Sequence, residues 1–251
     1  SSLSVATSSS GQPGNIILKT GLLNITQGAE ITATATATAT SSQQGGNISI
    51  FSPNINLDGK VAIIAETQGV VPAGTINLQP LQGGQNLNIN FSQNSEISAS
   101  TSAQGNGGSI ILTAPSAIAL FGQGILKVET SGLGNAGNIN FSTQNLTIAE
   151  GVTVSASTSS NCNGGSLLID ASRSFTLDQS QLLTDTRGLG NAGNININTS
   201  QLNSNQSQIS ASTSGSGNAG NILISNHNSN ANIVTLNNSS INTAVNQFAT
   251  G

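Results

Sequence analysis

Apolar and polar residues alternate along most of this chain, with the two-residue period of a β-strand that buries one face. The clearest copy is residues 137–141, in which Ile139 and Phe141 are apolar and their neighbours Asn138 and Asn140 are polar. Close copies, each opened by a glycine that we call the opening glycine, begin at Gly14, Gly46, Gly74, Gly108, Gly137, Gly165, Gly193 and Gly220. Successive opening glycines are 32, 28, 34, 29, 28, 28 and 27 residues apart, so the chain is a repeat array.

Each repeat predicts three short strands separated by turns rich in Gly, Asn and Ser, residues that tolerate a positive φ or hydrogen-bond their own backbone. The first strand has apolar residues two and four positions after the opening glycine: Ile16 and Leu18, Ile48 and Ile50, Ile76 and Leu78, Ile110 and Leu112, Ile139 and Phe141, Leu167 and Ile169, Ile195 and Ile197, Ile222 and Ile224. The second strand is expected at residues 22–25, 55–57, 87–91, 118–120, 146–148, 175–177 and 234–236. The repeat from Gly193 has only Leu202 in that place, which predicts a looser coil there.

The third strand precedes the next opening glycine and carries three inward columns. Eleven residues before that glycine stand Leu3, Ile63, Ile97, Leu126, Val154, Leu182 and Ile209. Nine residues before it stand Val5, Ala65, Ala99, Val128, Ala156, Thr184 and Ala211. Seven residues before it stand Thr7, Thr67, Thr101, Thr130, Thr158, Thr186 and Thr213, a column that the alternating Ala-Thr insertion from Ala33 interrupts.

Matching columns with three strands in 27 to 29 residues are typical of a parallel β-helix, in which each strand pairs with its equivalent in the next coil. We therefore predict an all-β fold, a right-handed parallel β-helix (β-solenoid) of about eight coils, with one array over residues 1–251. A helical alternative fails because Val, Ile, Thr, Asn, Ser and Gly are poor helix formers. The asparagine after the opening glycine, as in Asn15, Asn47, Asn138, Asn194 and Asn221, predicts a ladder of side-chain amides along the rod.

Composition restricts the partners. Only 6% of residues are charged and the formal net charge is −4, so the chain lacks the basic surface that nucleic-acid binding requires. Because Trp and Tyr are absent, six Phe are the only aromatic side chains that could stack on sugar rings or bases. No apolar run reaches the length of a membrane span, and no charged-then-apolar signal segment opens the chain. The single Cys162 cannot form an intrachain disulfide.

Few residues are candidates for chemistry. His227 stands in a polar turn without a nucleophile motif, and Cys162 has no evident His or Asn partner, so both are interpreted as loop residues. One His and one Cys cannot form a metal-ligand cluster, and we expect no metal, no cofactor and no catalytic residue. The best enzyme candidate is the repeat from Gly165, which carries Asp170, Asp178, Asp185, Arg173 and Arg187. An acid-and-arginine face of this kind would suit a β-helix carbohydrate enzyme if Asp170, Arg173 and Asp178 converged in a cleft, and is otherwise a solvated patch.

Two outward columns carry charge. Eight residues before the opening glycine stand Thr38, Glu66, Ser100, Glu129, Ser157, Asp185 and Ser212, which places an acid on alternate coils. This spacing separates like charges by about 10 Å and indicates relief of repulsion rather than a calcium site. Glu30, Lys60 and Glu96 predict a second ladder of alternating charge. The regularly spaced threonines of residues 31–40 raise the alternative of an ice-binding or hydration surface, although one coil is too few for an ice plane.

The recurring block GNAGNINFSTQNLTIAEGVTVSASTS, which returns as GNAGNININTSQLNSNQSQISASTS, resembles the repeat region of filamentous-haemagglutinin-like exoproteins of the cyanobacterial type. The resemblance covers essentially the whole chain. It implies a secreted adhesin or surface fibre, exported by two-partner secretion through an outer-membrane partner, folded outside the cell and without catalytic activity. The N-terminal secretion domain of that family has no counterpart here, so the resemblance implies an interior segment of a longer chain.

These observations lead to one expected function and two alternatives. We expect an extracellular shaft of a surface fibre that mediates cell-surface attachment or aggregation through a receptor or glycan that the repeats do not identify. The chain opens in a third strand at Leu3 and closes past the equivalent strand at residues 241–245, so we expect open strand edges that continue the fibre or stack end to end on like chains. The alternatives are a β-helix carbohydrate-active enzyme and an ice-binding surface.

Overall fold

A computed structural model of the chain describes residues 1–8, 13–36, 45–226 and 230–245. Within these ranges the secondary structure is strands and turns without a helix, arranged as a parallel β-solenoid of about 8 coils spaced about 29 residues apart. Each coil contributes to three ladders of parallel strands that run the length of the rod. The all-β solenoid expected from the sequence is thereby confirmed.

The first ladder follows the opening glycines. With strands numbered in chain order, its separate members are β2 (Ile16–Lys19), β5 (Ile48–Phe51), β8 (Thr75–Gln79), β11 (Ser109–Thr113) and β20 (Ile222–Ser225). The second ladder contains β3 (Leu23–Thr26), β6 (Asn54–Asp58), β9 (Asn86–Phe91), β12 (Ala117–Gly122) and β21 (Ile233–Asn237). Three long strands take part in both of these ladders: β14 (Asn138–Ala149), β16 (Leu167–Asp178) and β18 (Ile195–Asn205).

The third ladder forms a separate sheet of nine strands. Its members are β1 (Ser2–Thr7), β4 (Glu30–Ala35), β7 (Ala62–Ile64), β10 (Glu96–Ser98), β13 (Ile125–Lys127), β15 (Thr153–Ser155), β17 (Gln181–Leu183), β19 (Gln208–Ser210) and β22 (Ser240–Asn242). The strand is short in most coils, and a further bridge between successive corner threonines, from Thr67 to Thr213, extends the pairing to the corner. The register puts like residues on like, as the columns predicted.

The first two strands of a coil are fused in β14, β16 and β18 and separate in the four N-terminal coils. Gly21, Pro53, Pro80 and Pro115 separate the two strands in the four N-terminal coils, since proline cannot donate to a ladder and glycine weakens a strand. The equivalent segments of β14, β16 and β18 contain neither residue, so a single strand bends through the corner with a register shift, as at residues 143–145.

The looser coil predicted for the repeat from Gly193 is wrong. Its strand β18 is continuous and pairs with β16 on one side and with β20 and β21 on the other. Leu202 is fully buried, and Ser204 occupies the inward position that Leu177 holds in the coil before. Main-chain hydrogen bonds to both neighbours hold this segment, and they do not depend on a large side chain at every inward position.

The opening glycines are explained by close stacking rather than by backbone conformation. A Cβ on Gly74 would overlap with the main-chain carbonyl oxygen of Gly46, and a Cβ on Gly165 would overlap with that of Gly137. Positive φ angles occur instead at the turn between the second and third ladders, for example at Gly122 (97°) and Gln206 (49°). A positive φ therefore accounts for glycine in that turn, whereas close stacking of neighbouring coils accounts for the opening glycine.

The asparagine ladder after the opening glycine also differs from its prediction. The Asn15 Oδ1 accepts from the main-chain N–H of Asn47 at 3.0 Å, and the Asn194 Oδ1 accepts from that of Asn221 at 2.8 Å. The side chain bonds to the backbone of the next coil rather than to the next amide. Amide-to-amide bonds occur on the second ladder, where Asn56 Nδ2 donates to Asn24 Oδ1 at 2.8 Å.

Counting back from Gly46 misplaced one coil in the columns. Strand β4 pairs Ala35 with Thr7, and Ala35 then bridges to Thr67, so Ala35 holds the corner position in that coil. Thr34, which pairs with Ala6, takes the acid-column position that the count gave to Thr38. The error arose because the insertion lies after the strand and before the glycine; Thr38 itself lies outside the described residues.

Candidate functional site

A polar groove of ≈ 450 Å³ runs along the outer surface of the third ladder over five successive coils. Its walls are almost entirely Ser, Thr and charged side chains. The lining residues are Glu66, Ser100, Thr101, Ser102, Lys127, Glu129, Thr130, Ser131, Ser155, Ser157, Thr158, Ser159, Leu183, Asp185 and Arg187. We refer to it below as the third-ladder groove.

Strand alternation places these side chains outside. In β13 and the residues that follow it, Leu126 and Val128 are fully buried in the core, so Lys127 and Glu129 between them point outward. Thr130 then turns the corner with its side chain buried. The same parity in every coil builds two outward columns, ten and eight residues before the opening glycine, and these columns form the groove.

Acidic coils and serine coils alternate along the groove. Glu66, Glu129 and Asp185 lie on every second coil, and Ser100, Ser157 and Ser212 hold the same position on the coils between them. Each acid accepts a hydrogen bond from a serine of the next coil. These serines lie ten residues before the next opening glycine: Ser98 donates to Glu66, Ser155 to Glu129, and Ser210 to Asp185 at 2.7 Å.

The bonds continue in the same direction from the serine coils to the acidic coils. Ser100 Oγ accepts from the main-chain N–H of Glu129 at 3.0 Å, and Ser157 Oγ accepts from that of Asp185 at 3.1 Å. Hydroxyl and carboxylate groups thus link each coil to the next. The acidic side chains are therefore not only separated from one another, because a hydrogen bond from the next coil also orients each carboxylate.

The carboxyl group of Glu66 is largely withdrawn from water. Desolvation raises the pKa of the Glu66 carboxyl above its usual 4.5, and the Coulomb repulsion of Glu96 adds to this. The hydrogen bond from Ser98 and the charge of Lys127 act in the opposite direction but do not cancel the effect of burial. Ionising Glu66 therefore costs the folded protein free energy.

Lys127 is the central cation of the groove. Its Nζ lies 2.6 Å from Glu96 Oε2. Burial by itself would lower the pKa of Lys127, but the hydrogen bond with Glu96 and the charges of Glu96, Glu66 and Glu129 outweigh it and raise the pKa above 10.5.

The Glu30, Lys60, Glu96 ladder expected from the sequence is wrong, because the register pairs Glu30 with Ala62 and Ala62 with Glu96, leaving Lys60 in the preceding turn.

The alternation belongs to a two-coil repeat that the sequence analysis missed. Residues 127–142, KVETSGLGNAGNINFS, match residues 183–198, LTDTRGLGNAGNININ, at a distance of two coils. The serine coils match one another in the same way, with SAST at residues 98–101, 155–158 and 210–213. Comparing every second repeat, rather than neighbouring repeats, would have found this signal.

Exposed apolar side chains after the corner follow the same two-coil period. Val70, Leu133 and Leu189 stand four residues before their opening glycines on the acidic coils, and they are 54%, 70% and 62% exposed. The serine coils have polar residues in that place, as at Asn161, whose Oδ1 accepts from the Leu189 main-chain N–H at 3.3 Å. Aliphatic and carboxylate groups thus recur together on every second coil.

The charged side chains of the repeat from Gly165 do not converge in a cleft. Asp170 lies in the first-ladder part of β16 and Asp178 in its second-ladder part, with the register shift at residues 171–174 between them. Both point outward, on different faces of the rod, and Asn205 Nδ2 donates to Asp178 Oδ1 at 2.6 Å. Asp170, Arg173 and Asp178 do not line the third-ladder groove, whereas Asp185 and Arg187 do.

Of the two loop candidates expected from the sequence, the structure describes Cys162. Cys162 is half-buried, and its thiol donates to the main-chain carbonyl oxygen of Leu133 in the preceding coil at 2.8 Å. His227 lies outside the described residues. In the part of the chain that the structure describes, no group of three or more His, Cys, Asp or Glu side chains is placed to hold a metal ion. The described ranges likewise contain no helix of the length and apolarity needed to cross a membrane.

The threonine insertion is described only up to Thr36. Thr32 and Thr34 are half-buried on the outer face, and Thr32 Oγ1 donates to Ser4 Oγ at 2.8 Å. Along the same outward column Thr32 pairs with Ile64, and Ser98 pairs with Lys127. This mixture of hydroxyl, aliphatic and charged side chains differs from the uniform threonine array of a flat ice-binding plane.

Neither protein-family profiles, nor curated proteins, nor solved structures give a match to the chain.

Proposed function

We propose that this chain forms part of the shaft of an extracellular surface fibre that mediates cell-surface attachment or aggregation. The observation that carries the proposal is the continuous pairing of all three ladders along the rod. At a strand spacing of about 4.8 Å, eight coils make a rod on the order of 40 Å long. A rod in which every coil is bonded to both neighbours resists bending, as a spacer between a cell and its contact surface must.

The composition supports an exported protein. With Cys162 as the single cysteine, the chain has no intrachain disulfide to form before or after export. With 6% charged residues and a regular one-dimensional core, it can fold coil by coil as it emerges, since each repeat contacts only its neighbours. The proposal includes export by two-partner secretion through an outer-membrane protein, as the resemblance of the repeats implies.

The proposed partners along the axis are coils of the same type. Strand edges at the ends of a ladder present unpaired main-chain groups and recruit further strands. A coil with the same register, from a continued repeat or from another copy, satisfies those groups and extends the columns of apolar side chains. A catalytic role has less support, because Asp170, Arg173 and Asp178 do not share a cleft.

Immunogold electron microscopy of intact producing cells tests the proposal. Antibodies raised against this chain are expected to label thin filaments outside the cell, and deletion of its gene is expected to reduce attachment or aggregation. Complementation with the intact gene is the control. Gold confined to the cytoplasm, or unchanged attachment after deletion, would overturn the proposal.

A further inference from the structure

The third-ladder groove has the dimensions of a site for a linear polymer. It extends from the coil of Glu66 to the coil of Asp185, and four spacings of about 4.8 Å give it a length of about 19 Å. Its volume of ≈ 450 Å³ lies within the range of about 300 to 1,000 Å³ common for ligand sites. It is parallel to the rod axis because the same columns in successive coils form it.

The groove has a two-coil period, so a ligand that stays in register must share it. The acids and the exposed aliphatic residues return every second coil, at a spacing of about 9.6 Å. An extended β-1,4-linked polysaccharide advances by nearly one coil spacing per sugar, and each sugar is rotated by half a turn relative to the last. The same sugar face therefore returns with every second residue. A peptide strand, which repeats after two residues or about 6.6 Å, loses register within one acidic period.

The lining suits sugar hydroxyl groups. Glu66, Glu129 and Asp185 each use one carboxylate oxygen for the bond to the next coil, and a carboxylate has two oxygens that accept. The exposed groove serines that follow the corners, Ser102, Ser131 and Ser159, have hydroxyl groups that both donate and accept. Leu183 lines the groove and offers aliphatic contact to the apolar faces of sugar rings in a chain without Trp or Tyr. The exposed Leu133 and Leu189 follow the lining residues Ser131 and Arg187 by two positions.

Charge selects among polysaccharides. The groove contains three carboxylates, Glu66, Glu129 and Asp185, against the cations Lys127 and Arg187, and the whole chain carries a formal charge of −4. This balance opposes a polymer of uronic acids or sulfated sugars. An uncharged polymer is not repelled by these carboxylates.

We propose that the third-ladder groove binds an uncharged β-1,4-linked polysaccharide along the rod axis, one sugar per coil, with its disaccharide unit in register with the two-coil repeat. This inference rests on the proposed function and names the kind of surface to which the shaft attaches. Binding at one groove is weak because aromatic stacking is missing. Repetition along a fibre raises the avidity, since every further engaged groove binds at high effective concentration.

Isothermal titration calorimetry of the purified chain with cellohexaose tests the proposal. Cellohexaose is expected to bind at least about tenfold more tightly than cellobiose, the difference made by one or two additional hydrogen bonds to charged groups. Maltohexaose, which is α-1,4-linked, and an anionic β-1,4-linked oligomannuronate are expected to show no binding. Absence of cellohexaose binding, or equal binding of the α-linked or anionic oligomer, would overturn the proposal.

Two variants test the register. Glu129→Ser makes the central acidic coil resemble its neighbours and is expected to weaken cellohexaose binding about tenfold, as the loss of one charge-assisted hydrogen bond would. Glu129→Gln keeps an acceptor for Ser155, controls for altered folding and is expected to bind more tightly than Glu129→Ser. Asp178→Asn, on another face, is the matched control and should bind like the unmodified chain. Equal affinity of all three variants would refute the assignment of the groove.

The inference and the proposed function fail separately. If antibodies label surface filaments but cellohexaose does not bind, the polysaccharide assignment falls and the shaft proposal stands. If cellohexaose binds with the expected variant pattern while the label stays inside the cell, the groove assignment stands and the shaft proposal falls.

Discussion

The side chain of Thr101 donates a hydrogen bond across 3.2 Å to the main-chain carbonyl oxygen of Thr67 in the preceding coil. The same hydroxyl accepts from the main-chain N–H of Ala103 at 3.4 Å, two residues further along its own coil. A buried threonine at this corner thus bonds two coils together and starts the turn that follows. This double role explains why the corner column is more uniform than the apolar columns beside it.

Replacing one corner hydroxyl is expected to destabilise the rod. Thr158 Oγ1 donates to the Thr130 carbonyl oxygen at 3.1 Å and accepts from the Ser160 N–H at 3.2 Å. Thr158→Val keeps the shape but removes both bonds: the Thr130 carbonyl oxygen retains only the Ser159 N–H at 3.2 Å, and the Ser160 N–H loses its acceptor, at a cost of about 1 to 3 kcal/mol. Chemical denaturation followed by circular dichroism measures the change. Thr158→Ser, which keeps the hydroxyl, is the control; equal losses for both variants would contradict the hydrogen-bond explanation.

A side chain at an opening glycine is expected to be poorly tolerated. Gly165→Ala places a Cβ against the main-chain carbonyl oxygen of Gly137. This obstacle is backbone of the neighbouring coil, so it cannot move aside as a flexible side chain would. We expect a loss above about 3 kcal/mol, in the range of severe core overpacking. The control is Gly21→Ala, because a Cβ there meets nothing within 4 Å. The midpoints of thermal unfolding of the two variants measure the difference. Similar midpoints would exclude close stacking as the reason for the column of opening glycines.

The raised pKa of Glu66 predicts a pH-dependent contribution to stability. A carboxyl whose folded pKa exceeds its unfolded value of about 4.5 contributes fully below that value, and its contribution is lost as the pH rises through the folded pKa. Glu66→Gln removes this loss while keeping an acceptor for Ser98. The variant should therefore become more stable than the unmodified chain as the pH rises above 4.5.

Urea denaturation of the two proteins from pH 3 to pH 8 measures this difference. Near pH 3 Glu66 is protonated in both the folded and the unfolded chain, so this range is an internal control for the change of side chain. Ser98→Ala removes a hydrogen bond that lowers the pKa of Glu66 and should shift the transition to higher pH. A difference in stability that does not change with pH would contradict the predicted titration.

Replacing one buried serine is expected to increase the stability of the chain. Ser204 stands inward between Leu177 and Leu236, and its hydroxyl has no hydrogen-bond partner among the described residues. Ser204→Ala removes the unpaired group and should stabilise the chain by about 1 kcal/mol, given the cost of burying such a group. Ser180 is equally buried, but its hydroxyl donates to the Asp178 carbonyl oxygen at 2.8 Å. Ser180→Ala is therefore expected to destabilise in the same assay, and a gain for Ser180→Ala or a loss for Ser204→Ala would contradict the argument.

The candidate site was only partly visible in the sequence. Alternation of Glu66, Glu129 and Asp185 with serine was evident, and it led to an interpretation as relief of charge repulsion. The serine donors were not recognised, because Ser98 and Glu66 are 32 residues apart and only the register of neighbouring coils brings them together. The Glu30, Lys60, Glu96 ladder failed for the same reason: it assumed a register that the turn before β7 does not adopt.

The sequence by itself determined the all-β class, the repeat length, the three strands per coil and the inward columns. It could do so because a strand buried on one face must alternate with period two, and because identical coils stack in one register. Only the tertiary structure decided which outward groups meet across coils, why the opening position excludes any side chain, and how Asp170 and Asp178 come to lie on different faces. Those outcomes depend on the distance between backbones one coil apart and on how far a strand turns at its corner, and both are properties of the stacked coils rather than of a single repeat.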